Sequence, residues 1–223
     1  MGSFPQSIVH YLPVTDHDER WGIVCTTAGY QNVPPGSPYP LTQHSDSYSF
    51  TRSRGRVLGE YQLLYIVSGQ GEFRSASSPA APVKAGTVVM LFPDEWHTYA
   101  PDPETGWEEW WVGFRGENID RRVAEGFFSP KTPLLHIGHT AGIVSCYQEI
   151  IRSAEEERKG FQQLVTGIVL HLLGSVLFKR DNLQYLDNPI VEKINRAREM
   201  MRRHIGDNLP PEEIARRLNI GYT

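Results

Sequence analysis

The chain has 223 residues, a net charge of −4 and a hydrophobic content of 39%, enough to form a sizeable core in one domain with or without an appendage. No run approaches the roughly 18 consecutive apolar residues of a membrane span, and the first residues lack the basic and apolar regions of a secretory signal. Cys25 and Cys146 lie far apart and outside any metal-binding spacing, so we expect reduced thiols, a cytoplasmic location and no membrane partner.

Residues 1–116 have the pattern of a β-domain, in which short apolar runs are separated by clusters of Gly, Pro and Ser. Several short strands at this spacing favour a sandwich or a barrel. The predicted strands are residues 21–31, 47–52, 60–69, 71–76, 87–93 and 108–116, with turns at PPGSPYP, SGQG and SSPAAP.

Helical periodicity replaces this pattern after residue 116. The predicted helices cover residues 117–128, 141–158 and 161–180. The last of them carries a broad apolar stripe, with further apolar residues beside it: Leu164, Ile168, Leu172 and Val176. Either this helix packs against its own domain, or it belongs to an antiparallel helix pair that also supplies a dimer interface. Polar substitutions at Leu172 and Val176 distinguish the two, because the first arrangement predicts unfolding and the second predicts a monomer.

Residues 189–223 form a third segment, with seven basic and five acidic groups. A first predicted helix ends at Gly206 and places apolar residues on one side: Ile190, Ile194, Ala197, Met201 and Ile205. Pro210 and Pro211 suit the start of a second helix, which ends in a turn at residues 219–221. This is the opening half of a helix-turn-helix, cut off before its recognition helix. An ordinary helical hairpin is the alternative.

The tryptophan-rich stretch FPDEWHTYAPDPETGWEEWWVGF (92–114) is the strongest candidate for a site. Alternation along a strand places Trp107, Glu109 and Trp111 on one face and Trp110 on the other. A carboxylate between two indoles is unusual in a dry core, because an unpaired buried carboxylate is costly. A sugar would resolve this, since its C–H face lies on an aromatic ring while its hydroxyls pair with polar groups.

The order of these parts resembles the AraC/XylS family of bacterial transcription regulators. The resemblance rests on EYQLLYIVSGQGEF, VKAGTVVMLFPDEWHTY and GWEEWWVGF, followed by two helices, another helix and LPPEEIARRLNIGYT. It implies an α+β protein with a mainly β N-terminal cupin-like (jelly-roll) barrel, then an α-helical pair, then a partial helix-turn-helix segment. The implied domains are an effector-binding barrel with an N-terminal arm (1–116), a helical dimerisation region (117–183) and a truncated first helix-turn-helix (188–223).

The resemblance also implies which residues bind the effector. The spacing from HTY to WVGF places Trp111 at the family's sugar-stacking tryptophan and Tyr99 at its hydroxyl-contacting tyrosine, while Glu109 stands in place of a pocket histidine. Arg54 corresponds to the arginine that reaches sugar hydroxyls, with Arg56 as a nearby alternative. The predicted ligand-binding residues are therefore Arg54, His97, Tyr99, Glu109 and Trp111. Trp107 and Trp110 are assigned mainly to packing.

The resemblance also implies a lid over the bound effector. In the family, an arm ahead of the barrel can fold over the bound effector, and residues 1–20 are the corresponding segment here. Tyr30 and Gln31 lie near the matching lid region. Such an arm works as a switch only if it contacts the ligand-bound barrel better than the empty one.

A metal centre is not expected. Metal-binding cupins use a pair of histidines in their first motif, where this chain has residues 61–65, YQLLY. His97 alone cannot supply the usual three protein ligands of a catalytic metal. We therefore expect no metal, no cofactor and no catalytic residues.

The sequence thus predicts the sensor part of a ligand-responsive transcription regulator, not an enzyme. Its expected partners are a small-molecule effector, with carbohydrate the favoured class, a second copy in a homodimer, and a DNA operator for the intact protein but not for this chain, which lacks the base-reading helices. Two alternatives from other classes are a metal-dependent cupin enzyme, such as a sugar isomerase or dioxygenase, and an effectorless dimerisation scaffold.

Overall fold

The computed structural model describes residues 7–39, 48, 51–186, 189–203 and 210–221. Within these residues the strands are β1 (Ser7–Tyr11), β2 (Val24–Val33), β3 (Tyr61–Ser75), β4 (Ala81–Lys84), β5 (Thr87–Leu91), β6 (His97–Pro101), β7 (Trp107–Arg115) and β8 (Leu134–His136). The helices are α1 (Asp16–Glu19), α2 (Glu117–Ala124), α3 (Ala141–Glu156), α4 (Phe161–Leu186), α5 (Pro189–Arg203) and α6 (Pro211–Leu218). The predicted mixture of an N-terminal β-barrel and following helices is confirmed.

Strand β3 is the central strand of the barrel and pairs with four other strands. Its first part pairs with β5 and β7, and its second part pairs with β4 and β6. The turn predicted at SGQG is therefore wrong, because β3 runs through it while changing partners. Gly69 permits this: its φ is 78°, and an added Cβ would meet the carbonyl oxygen of Gly106 at 2.1 Å.

The remaining strands complete an antiparallel sheet in the order β1-β2-β7-β3-β5-β8. Strands β1, β4, β6 and β8 and helix α1 lie outside the predicted strand and helix ranges. Half of the predicted strand at 47–52 lies outside the described residues, and residues 48, 51 and 52, which are described, are not in a strand. Strand β1 falls within the predicted arm, and it pairs with β2 along its whole length, so residues 7–11 form part of the barrel wall.

Two apolar clusters lie on opposite faces of this sheet. The inner cluster contains Trp107 and Trp111, and the outer cluster contains Trp110, Val112 and Phe114 together with residues of α3 and α4. The alternation predicted for β7 is therefore confirmed. The Tyr147 hydroxyl on α3 donates to the carbonyl of Leu63 at 2.9 Å and fixes this helix to the outer face.

Helix α4 supplies much of the outer cluster. Val165, Val169, Leu172 and Val176 are all fully buried within the chain itself. Leu172 and Val176 therefore belong to the core of the chain itself, which is the first of the two arrangements that the sequence left open. Residues Phe161–Leu183 are long and apolar enough to cross a membrane by length and composition, but their apolar stripe is used in this packing.

Residues 181–223 form a separate compact unit from residues 1–180. Within it α5 and α6 pack together, and Ala197, Ile214 and Ala215 are buried. Pro210 is the N-cap of α6 and Asn219, with φ 51°, ends it, as the turn prediction requires. The predicted stop at Gly206, and Ile205, lie outside the described residues.

Candidate functional site

A cavity lies inside the barrel, against the inner face of β7. The space between its side chains is about 380 Å³, including solvent at its open end, but only about 20 Å³ of it is open to the centre of a water molecule. Its lining is aromatic and polar: Val9, Tyr11, Thr27, Tyr39, Tyr48, Arg56, Gln62, Tyr99, Glu109 and Trp111.

The strand register explains how these side chains converge. Across β2 and β7, Gly29 pairs with Trp111 and Gln31 pairs with Glu109. Since neighbouring strands point paired residues to the same face, Trp111 and Glu109 stand in successive layers of the cavity. Val9 of β1 pairs with Gly29 and extends the Trp111 layer.

The Trp111 indole lies over Gly29. A Cβ added at Gly29 would come within 2.1 Å of the Trp111 ring, so any larger residue there would displace the indole. The glycine opposite Trp111 therefore sets the position of the aromatic wall.

Glu109 is the unusual group of the cavity, because its carboxyl group is buried with one oxygen unsatisfied. The side chain is only 3% exposed, and the Tyr39 hydroxyl donates to Oε1 at 3.1 Å. Among the described residues, no group meets hydrogen-bond geometry at Oε2, and the same holds for the buried Gln31 Nε2 and Trp107 Nε1. Burial raises the pKa of Glu109 to about 7, although the Tyr39 hydrogen bond, the Arg56 charge and the nearby Trp107 indole N–H oppose the shift. Trp107 is therefore close enough to act on the carboxyl group without a well-formed hydrogen bond to it.

Arg56 organises the opposite side of the cavity. Its guanidinium donates to the Tyr99 hydroxyl at 2.6 Å, to the Tyr48 carbonyl at 2.6 Å and to His97 Nε2 at 3.2 Å. The guanidinium carbon lies 5.6 Å from the centroid of the Tyr99 ring. These contacts hold a positive charge at a fixed position beside the cavity.

His97 lies behind Arg56 and supports it. The ring is 1% exposed, and its Nδ1 lies 3.0 Å from the Glu95 carbonyl. Since Nε2 accepts from Arg56, the ring proton is on Nδ1. Burial, with the neighbouring Arg56 charge, lowers the pKa of His97 to about 4, so the ring is neutral at pH 7. Across the described part of the chain, no group of three or more His, Cys, Asp or Glu side chains is arranged to hold a metal ion.

A second buried carboxyl group, Glu60, borders the cavity through its donors. Oε1 accepts from Gln62 at 2.8 Å and from Thr27 at 3.3 Å, and Oε2 accepts from Tyr48 at 3.1 Å. All three donors line the cavity. Glu60 is therefore satisfied by the protein, in contrast to Glu109.

The structure brings together most of the predicted ligand-binding residues. Tyr99, Glu109 and Trp111 line the cavity, and His97 lies one contact behind it. Arg54 does not: it is exposed on a turn, where its carbonyl accepts from Trp96 Nε1 at 2.9 Å. The next turn residue, Gly55, has a φ of 64°, after which Arg56 forms a backbone bridge with His97 and directs its side chain inward.

Sequence reasoning missed several lining residues. Tyr39 and Tyr48 belong to the segment between β2 and β3, where no periodicity predicts which side chain turns inward. Gln62 had a usable signal, since it is a polar residue in the otherwise apolar run YQLLYIV.

A β-barrel that encloses a cavity lined by aromatic, cationic and carboxyl groups offers both apolar and polar contacts to a small molecule. Residues 35–173 match the family described as the AraC-like ligand binding domain. The chain belongs to this family.

Similar proteins include a curated regulator and two solved structures. RafR of Pediococcus pentosaceus, a raffinose operon transcriptional regulatory protein, is 29% identical over 94 residues, 41% of this chain and 34% of that protein. This chain thus matches about a third of the length of that relative. An apo ToxT variant from Vibrio cholerae is 12% identical, with a TM-score of 0.36 over 96% of this chain and 70% of that one. A cupin 2 conserved barrel domain protein from Salinispora arenicola is 18% identical, with a TM-score of 0.32 over 53% and 82%. TM-scores this low add nothing to the family match.

Glu109 in the cavity and His97 behind it predict opposite pH dependences of stability. The pKa of Glu109 rises from 4.5 to about 7 on folding, so its contribution is present below pH 4.5 and is lost as the pH rises towards 7. The pKa of His97 falls from 6.5 to about 4, so its contribution is present above pH 6.5 and is lost as the pH falls towards 4. Each contribution is on the order of 3 kcal/mol.

Between pH 4.5 and 6.5 the two slopes therefore cancel in the unliganded protein. We expect Glu109→Gln to become more stable relative to wild type as the pH rises through this window, and His97→Gln to become less stable. Urea unfolding at half-unit pH steps measures both differences. Parallel stability curves for wild type and Glu109→Gln would show that the Glu109 pKa is not raised.

Proposed function

We propose that this chain is the sensor part of a ligand-responsive transcription regulator and that its barrel cavity binds a carbohydrate. The observation that carries the proposal is the pairing of the Trp111 indole with the buried, unsatisfied Glu109 carboxyl group in one cavity. An apolar ring beside an unused hydrogen-bonding group suits a ligand with both an apolar face and hydroxyl groups.

The remaining lining fits this class of ligand. Tyr39, Tyr99 and Arg56 form a connected set of hydroxyl and guanidinium groups around the space. A bound hydroxyl can exchange hydrogen bonds with such groups without leaving a buried polar atom unpaired. The AraC-like ligand-binding domain supports a role in sensing, not catalysis, and a raffinose operon regulator among the similar proteins supports a sugar effector.

Control of DNA by the ligand is part of the same proposal. The unit formed by α5 and α6 has the helix start, the apolar contact and the Asn219 turn expected for the first half of a helix-turn-helix. In the proposed regulator, ligand binding in the barrel changes how such helices are presented to an operator, and the protein acts in the cytoplasm.

A homodimer completes the proposal, through the exposed side of α4, which includes Leu164 of the apolar stripe but not the buried Leu172 and Val176. Leu164 is 53% exposed and Phe178 is 63% exposed. Leu164 and Ile168 also line an apolar groove with Cys146 of α3. A second copy that packs its own α3 and α4 here would bury these apolar side chains.

A thermal-shift screen of mono- and oligosaccharides, including raffinose, tests the effector class. A ligand at 100 times its Kd should stabilise the wild-type protein by about 2.7 kcal/mol. Arg56→Gln should abolish the shift, because it removes the cation that orders Tyr99 and Tyr48. Arg54→Gln is the matched control and should keep the full shift, because Arg54 lies outside the cavity.

Two results would contradict the proposal. If no sugar shifts the melting temperature of the wild-type protein, carbohydrates are excluded as the effector class. Equal shifts in Arg54→Gln and Arg56→Gln would place the binding site elsewhere. The melting temperature of each variant without ligand shows that its fold is intact.

A further inference from the structure

The formal charges around the cavity are unbalanced. Glu109 lines the cavity and Glu60 borders it through its donors, whereas the cation of the lining is the Arg56 guanidinium. The His97 ring is neutral at pH 7 because burial lowers its pKa to about 4, and Glu109, with its pKa raised to about 7, is partly ionised at that pH. Both carboxyl groups are buried, Glu109 at 3% and Glu60 at 5% exposure. In such a site, charges act on one another more strongly than they do in water.

The positive charge is also held by the protein itself. Arg56 donates to a hydroxyl, a carbonyl and an imidazole, all of which are protein groups. A ligand anion would have to compete with these acceptors for the guanidinium. The orientation of Arg56 therefore favours a structural support over an anion clamp.

The unsatisfied atom on the opposite side is an acceptor when Glu109 is ionised. Oε1 is held by Tyr39, so that only Oε2 is left for a ligand. Gln31, the register partner of Glu109 across β2 and β7, has an unpartnered amide nitrogen of its own. A buried polar atom without a partner costs roughly 1–3 kcal/mol. A ligand donor would recover this cost at Glu109 Oε2, and a ligand acceptor would recover it at Gln31 Nε2.

We propose that the cavity selects effectors by charge, an inference that rests on the proposed function. It accepts a neutral polyhydroxy ligand or its aminated form, which donates an O–H or N–H hydrogen bond to Glu109 Oε2. It rejects sugar acids and sugar phosphates. The two accepted forms share one chemistry, a hydrogen-bond donor beside an apolar ring face. A ligand carboxylate or phosphate instead places a negative group beside the Glu109 carboxyl group, in a cavity that Glu60 also borders. Juxtaposition of like charges in a dry site is a strong means of rejecting a ligand.

Matched sugar series test this selectivity at pH 7. Isothermal titration compares galactose, galactosamine, galacturonate and galactose 6-phosphate on the whole chain, and the same four forms of glucose. We expect the anionic members to bind at least about a hundredfold more weakly than the neutral parent, and the aminated member to bind at least as tightly. Glu109→Gln keeps the shape of the side chain and removes its charge, so it should reduce the discrimination to about tenfold or less.

Each outcome has a distinct meaning. An anionic sugar that binds as tightly as its neutral parent overturns the charge selection and leaves the carbohydrate function standing. Unchanged discrimination in Glu109→Gln overturns the assignment to Glu109. If no sugar binds, the proposed function has failed, and cyclohexanol, cyclohexylammonium and cyclohexanecarboxylate then decide the charge question on the same cavity. Tightest binding of the carboxylate, or no binding of any of the three, overturns the charge inference as well.

Discussion

Replacing Trp110 by alanine should strongly destabilise the protein, while the same replacement at the adjacent Trp111 should mainly remove ligand binding. Trp110 is buried in the outer cluster, with its ring centroid 4.3 Å from that of Tyr30 and 6.5 Å from that of Tyr147 on α3. Deletion of a core indole typically costs about 3–5 kcal/mol because a cavity remains. We therefore expect the melting temperature of Trp110→Ala to fall by roughly 10 °C.

Trp111 faces the other way, into the cavity. Its deletion enlarges a space that is already open at one end, so we expect a smaller loss of about 1–2 kcal/mol. The loss of the aromatic wall should weaken the best sugar by at least about tenfold. Calorimetric melting without ligand and titration with that sugar separate the two effects.

Each alanine variant is the experimental control for the other, because both replace a tryptophan on the same strand. Wild-type affinity in Trp111→Ala would show that the sugar does not stack on this indole. A small stability loss in Trp110→Ala would show that the barrel and α3 do not pack as described.

Replacing Leu172 by glutamate should unfold the protein, while the same replacement at Leu164 should leave it folded and monomeric. Leu172 is completely buried in the outer cluster, whereas Leu164, two turns earlier on α4, is half exposed. A carboxylate at position 172 would be buried in an apolar cluster, which is expected to cost more than about 4 kcal/mol. At position 164 the carboxylate remains in water and should change the stability of the monomer by less than about 0.5 kcal/mol.

Sedimentation velocity measures whether each of the two variants is a monomer or a dimer, and circular dichroism measures whether it is folded. The expected result for Leu164→Glu is a folded monomer, because the proposed dimer buries this side of α4 and an ionised side chain opposes that burial. A folded dimer in Leu164→Glu would remove this surface as the interface. A stable fold in Leu172→Glu would contradict the burial of Leu172 in the outer cluster.

The parts of the site that could be predicted are those that follow from short-range geometry. The alternation of β7 is set by the extended backbone, in which successive side chains point to opposite faces. It therefore separates Glu109 and Trp111 from Trp110 without any knowledge of their neighbours. The order of β-domain, helices and helix-turn-helix start likewise follows from local patterns, and the family match confirms the family that this order indicated.

The choice between Arg54 and Arg56 could not be made in this way. The two residues are separated only by Gly55, and the left-handed conformation of that glycine decides which arginine turns inward. The backbone conformation of a single turn residue does not produce a periodic pattern in the sequence, so such patterns do not predict it. The same limit applies to Tyr39, whose contact with Glu109 joins residues 70 positions apart.

The broad apolar stripe of α4 shows the other kind of limit. Its composition predicts burial, but it does not say whether the same chain or a second copy provides the covering surface, because both offer the same apolar environment. The sequence by itself therefore determined the family, the two faces of β7 and the residue types available to the cavity, since these depend on local spacing. Only the tertiary structure decided which side of α4 is covered and which arginine lines the cavity. It also showed that Glu109 keeps one unsatisfied oxygen. Each of these features depends on contacts between residues far apart in the chain.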